Sequence, residues 1–170
     1  MTTPSLGALR ICMLDFDGVL NHSRTKERYS RTGQPNSSII GFDPRNVAVL
    51  NQFLEPARVK IVVTSSWRWT HTLDELKALL KTAGVHGEVI GATKRQSMAN
   101  RGLEIQGWLD ANGPVEAFVI LDDSSDMGHL LPKLVQTSME TGMREKHVPA
   151  ALKILAEPVP VVSEALLVVP

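Results

Sequence analysis

Asp15 and Asp17 stand one residue apart at the end of an apolar run, Ile11 to Leu14, and are followed at once by Gly18, Val19 and Leu20. Two carboxylates that close repel unless a cation or a shared proton relieves them. If the strand ran on through both, alternation would put them on one face, roughly 7 Å apart, with Phe16 pointing the other way. A hard divalent cation with oxygen ligands would relieve the pair, leaving one carboxylate to act as nucleophile and the other to handle protons. A calcium-binding loop is excluded: Val19 offers no third oxygen ligand, and the position of the closing glutamate holds Lys26.

The missing partners follow in order along the chain. Val59 to Ser66 is a second apolar run, ending in hydroxyls at Thr64, Ser65 and Ser66. Ala117 to Asp126 is a third, ending in carboxylates at Asp122, Asp123 and Asp126. Lys94, Arg95 and Arg101 lie between these two runs. Carboxylates, hydroxyls and cations at the tips of successive parallel strands compose a phosphate site with a metal in it, because ligands bind beyond the carboxyl ends of such strands. Arg68, flanked by Trp67 and Trp69, either grips a phosphate or is a packing residue stacked on the tryptophans.

The elements that must position these residues alternate. Periodicity predicts strands at 9–14, 59–63, near 88–90 and 117–121, and helices at about 44–55, 72–83 and 102–111, with a further strand at 133–137 and a closing helix at 148–156. Breakers fall between them at Gly84, Gly87, Gly113 and Pro114. This is an α/β pattern: a Rossmann-like three-layer α/β/α sandwich with a mainly parallel central sheet. The chain reads as a single domain over 1–170 with its core at about 9–156, a flap loop at about 21–42 and a Val- and Pro-rich tail at 157–170. Asp-Ser-Ser-Asp at 123–126 also has the composition of a helix start, which would make Asp123 a capping residue.

With these motifs in place, the chain resembles the haloacid dehalogenase (HAD) superfamily of phosphohydrolases over roughly residues 10–136. Asp-Phe-Asp-Gly-Val-Leu at 15–20 resembles its first motif, Ile-Val-Val-Thr-Ser-Ser at 61–66 its second and Leu-Asp-Asp-Ser-Ser-Asp at 121–126 its fourth. Asp-Gly-Val-Leu-Asn at 17–21 and Thr-Ser-Ser-Trp-Arg at 64–68 are similar to the small capless phosphatase domains of polynucleotide and RNA repair proteins. The resemblance implies that Asp15 attacks phosphorus and carries a transient aspartyl phosphate. Asp17 would then serve as proton donor and, once ionised, as base. Thr64, or alternatively Ser65, would hold the phosphoryl group. Asp122 would bind Mg²⁺ beside Asp15, with Asp17 nearby and Asp123 or Asp126 completing the shell. For the third, basic motif Arg101 is preferred over Lys94, which would at most steer substrate.

The resemblance also bears on the substrate. In this superfamily a large insertion between the first two motifs forms a cap over small substrates, and the span from 21 to 42 is too short for an independent cap domain. An open site favours macromolecular ends, so the expected activity is Mg²⁺-dependent hydrolysis of 3′ or 5′ phosphates on nucleic-acid ends or nucleotides. Arg24, Lys26, Arg28, Arg31 and Tyr29 in the flap could hold a nucleic-acid backbone and stack a base, or form a solvated cover. Two alternatives stand: the same chemistry on a small metabolite or phosphoprotein, and a non-catalytic phosphate- or nucleic-acid-binding domain.

Composition sets the remaining bounds. Eighteen basic and 18 acidic residues cancel, so no global field draws the chain to nucleic acid or membrane, and any such contact must be a local patch. The single cysteine, Cys12, cannot form an intrachain disulfide and fits a reducing, cytoplasmic setting. No stretch approaches the ~20 apolar residues of a membrane span, and no signal-peptide pattern opens the chain. Nothing in the sequence sets an oligomeric state.

Overall fold

In the computed structural model, which describes residues 9–25, 27, 41–96 and 100–157, strand β1 (Leu9–Leu14) is the centre of a five-stranded parallel sheet. It pairs with β2 (Lys60–Val63) on one side and β4 (Val115–Asp122) on the other, while β3 (Val89–Ala92) and β5 (Leu134–Gln136) form the edges. The strand order β3-β2-β1-β4-β5 means that the chain winds outward from β1 in one direction, then returns to start again on its other side. The gap between β1 and β4 is thus the topological switch point, where open α/β sheets take their ligands.

Both sheet faces are covered, and strict alternation divides them. Cys12 and Leu14 of β1 pack with Val119 and Leu121 of β4 against Leu50 and Phe53 of helix α1 (Pro44–Ala57) and Leu76 and Leu80 of α2 (Leu73–Thr82). Ala151 and Leu155 of α4 (His147–Ala156) complete that layer. Ile11, Met13, Phe118 and Ile120 face the other way, onto Ile105 and Trp108 of α3 (Arg101–Ala111) and onto Met127 and Leu130. The expected three-layer sandwich is what forms. The short link between the first two motifs leaves no large cap.

Local signals fix the helix starts. Pro44 occupies the first turn of α1 behind Asp43, whose carboxylate accepts the Arg45 N–H at 2.8 Å. Thr72 and Glu75 form a reciprocal capping box on α2, and Asn100 caps α3 by accepting the Leu103 N–H at 2.9 Å. The expected helix start at 123–126 differs: the chain makes a 3-10 turn at Gly128–Lys133 whose leading residue, Met127, provides no side-chain cap. Asp123 is therefore not a capping residue. The basic flap at Lys26, Arg28, Tyr29 and Arg31, and the tail beyond 157, lie outside the described residues.

Candidate active site

The strand carrying the first motif stops earlier than alternation suggests. The Asp15 N–H still donates to Leu121 O at 3.0 Å, but from Phe16 the chain turns, with the N–H groups of Val19, Leu20 and Asn21 all pointing at Phe16 O. Gly18 makes this turn possible: its φ is +76°, and a Cβ there would sit 2.6 Å from the Asp123 carboxyl carbon. The turn sends the two aspartates to different places. Asp15 is buried among other acids, whereas half-buried Asp17 accepts the Asn21 amide at 2.9 Å and the Trp67 indole N–H at 2.9 Å.

Asp15, Asp122 and Asp123 bring carboxylate oxygens within 4.8 Å of one another. They project from the tips of β1 and β4, on either side of the switch point. The Asp122 carboxylate accepts the Ser124 N–H at 2.9 Å through Oδ1, while its buried Oδ2 accepts no hydrogen bond among the described residues and meets only the Arg101 guanidinium, at 3.4 Å. Such an all-oxygen set, with a buried carboxylate oxygen that accepts no hydrogen bond, fits a hard divalent cation such as Mg²⁺. Asp126 is exposed and is not part of this cluster, because the loop turns it outward, with its N–H on Ser124 Oγ. Asp17 is likewise outside the cluster. The third carboxylate is Asp123.

Among the described residues, Arg101 is the cation that reaches these acids. Placed in the first turn of α3, its guanidinium lies 3.6 Å from Asp15 and 3.4 Å from Asp122, and it donates to the Thr64 carbonyl. Lys94 instead is exposed and lines a surface cavity with Gln96 and Trp108. Burial raises the Asp15 pKa, opposed by Arg101, by the Phe16 N–H at 2.8 Å and by a hydrogen bond from the Ser65 hydroxyl. Burial, aided by the Asp15 charge, pushes Asp122 up to about 7 against the pull of Arg101. A cation in the cluster would pull both back down.

Of the two hydroxyls, Ser65 is the one that acts on the Asp15 carboxyl, holding its pKa down; the Thr64 hydroxyl is fully buried and has no hydrogen-bond partner among the described residues. Arg68 has a different task from the phosphate grip that its position suggested. Its side chain is 4% exposed and its donors are used on the carbonyls of Thr64, Ser65 and Thr93 and on the Glu104 carboxylate. It is an internal brace of the hydroxyl loop, although its guanidinium also lies 5.6 Å from the Trp69 ring. Sequence reasoning missed Glu104, which looks like a surface residue beside Leu103. The helix is rotated so that Glu104 is buried and Leu103 is half exposed.

Among the described residues no helix is long and apolar enough to cross a membrane. Residues 11–148, about four fifths of the chain, match the family model described as the HAD domain in Swiss Army Knife RNA repair proteins. That match supports a phosphatase-like hydrolase built on a HAD-type fold. A search of the curated proteins finds no match.

Proposed function

The chain belongs to the family of HAD domains found in Swiss Army Knife RNA repair proteins, and on that premise we propose that it is a Mg²⁺-dependent phosphomonoesterase that works through an aspartyl phosphate on Asp15. The observation that carries this reading is the cluster of Asp15, Asp122 and Asp123, faced by Arg101 at the switch point of the sheet. A Mg²⁺ ion held by these three carboxylates would neutralise charge between an anionic nucleophile and an anionic substrate.

The chain's own residues do the rest. Arg101 stabilises the ionised Asp15 and the phosphoryl oxygens beside it. An Asp15 oxygen bonds to phosphorus as the bond to the leaving oxygen breaks, and that oxygen takes its electron pair and a proton from Asp17. Asp17, now a carboxylate, removes a proton from water as the water oxygen attacks phosphorus, releasing phosphate and restoring Asp15. Ser65, which acts on the Asp15 carboxyl, is the hydroxyl proposed to hold the phosphoryl group, with Thr64 one residue away. The phosphate ends of nucleic acid, or nucleotides, are the proposed substrates, and the absence of a large cap is what supports a macromolecular end.

Phosphate release from 3′- and 5′-phosphorylated oligonucleotides, mononucleotides, sugar phosphates and an aryl phosphate, with Mg²⁺ or with chelator, tests the reading. Mg²⁺-dependent release that is greatest on oligonucleotide ends supports it. Release from small metabolites alone would replace the substrate class, and release from nothing, in a folded protein, would overturn the enzyme reading.

A further inference from the structure

Asp17 is gripped from two sides by groups that take no part in the carboxylate cluster. The Asn21 amide donates to its Oδ1 and the Trp67 indole to its Oδ2, each at 2.9 Å. Trp67 comes from the 3-10 turn Ser66–Trp69 that follows the hydroxyl motif, and its ring is itself immobilised. Phe16 meets it edge-on at 5.5 Å, Phe42 stacks on it at 5.4 Å and His71 stacks on it at 6.0 Å. Its backbone N–H is on Ser65 Oγ at 3.4 Å, so one turn ties the hydroxyl motif to the indole that meets Asp17.

Packing alone would be served by a phenylalanine ring in this stack, whereas donating an N–H to the carboxylate is beyond it. We propose that Trp67 is a positioning residue that, together with Asn21, holds the Asp17 carboxyl where it can protonate the leaving oxygen. This rests on the reading of Asp17 as the proton donor. Proton transfer depends on the donor oxygen lying within hydrogen-bond reach of the atom it serves, and a carboxyl free to rotate spends little time there. As the bond from phosphorus to the leaving oxygen breaks, that oxygen accepts the Asp17 proton, and the carboxylate left behind is the form that two N–H donors stabilise.

Leaving-group dependence separates this role from mere packing. kcat/KM in Mg²⁺, which reports steps only up to departure of the leaving group, is measured for dinitrophenyl, nitrophenyl, phenyl and alkyl phosphates with wild type, Trp67→Phe and Asn21→Ala. Dinitrophenolate departs without protonation and alkoxide does not. Trp67→Phe is expected to lower kcat/KM by about 100-fold for the alkyl ester, while leaving the dinitrophenyl ester within about threefold of wild type. Asn21→Ala shifts the series in the same sense. An equal loss across the series, or no loss, overturns the positioning role while the phosphatase reading stands; a wild type inactive on all four esters and on phosphorylated oligonucleotides and mononucleotides overturns both.

A measurement on the folded wild type guards against a variant that misfolds. The Trp67 indole N–H proton resonance should lie downfield of that of exposed Trp69 and move upfield in Asp17→Ala; an indole spectrum indifferent to that substitution also overturns the proposal.

Discussion

The middles and the tips of β1 and β4 obey opposite rules. Met13 and Ile120 pair across the sheet with no exposed surface, inside an apolar cluster, whereas two residues further on Asp15 and Asp122 are almost as deeply buried yet carry carboxyl groups. The same burial that stabilises the first pair works against the ionised form of the second. The sheet is thus a rigid platform whose apolar interior offsets a costly arrangement at its carboxyl edge. Functional groups held in such a state are where binding and catalysis are expected to draw their energy.

Breaking the apolar or braced side of this contrast should cost stability. Glu104→Gln removes the buried partner of Arg68 and leaves its guanidinium uncompensated; chemical denaturation should show a loss of about 3–5 kcal/mol, the largest of the series. Ile120→Ala opens a cavity between the sheet and α3 and should cost about 2–5 kcal/mol, while the folded fraction keeps its activity.

Breaking the acidic side should do the reverse. In the folded metal-free protein the pKa of Asp122 is raised from 3.8 to about 7, so the folded state holds this proton more tightly than the unfolded one does. The contribution of this group is therefore most favourable below about pH 4 and is lost as pH rises to about 7. Asp122→Asn should accordingly raise the Tm of the metal-free protein at pH 8 and remove the rise in Tm expected when Mg²⁺ is added to wild type; a lower Tm would contradict this. The smallest effect belongs to exposed Lys94, where Lys94→Ala should change kcat/KM by less than about threefold, because a solvated charge contributes little.

Much of this arrangement was legible in the residues. Apolar runs ending in Asp15, Thr64 and Asp122 announced three strands with chemistry at their tips, and the basic residue at the head of the Ile105 and Trp108 helix is the one that reaches the acids. What failed did so for local geometric reasons. Alternation placed Asp15 and Asp17 on one face because it assumed a strand that the turn at Gly18 ends. Residue type alone reads Glu104 as a surface group because it does not show that Arg68 neutralises it inside the fold. The choice between Thr64 and Ser65, and between Asp123 and Asp126, depended on loop torsions that residue types do not specify.

Trapping the covalent intermediate addresses the nucleophile most directly. The protein is mixed with an aryl phosphate and Mg²⁺, quenched during turnover with borohydride, which reduces an acyl phosphate to an alcohol, and digested for mass spectrometry. Homoserine at position 15, dependent on both substrate and Mg²⁺, is the result expected. Turnover that leaves Asp15 unmodified, or that survives in Asp15→Asn, would contradict its role as the nucleophile.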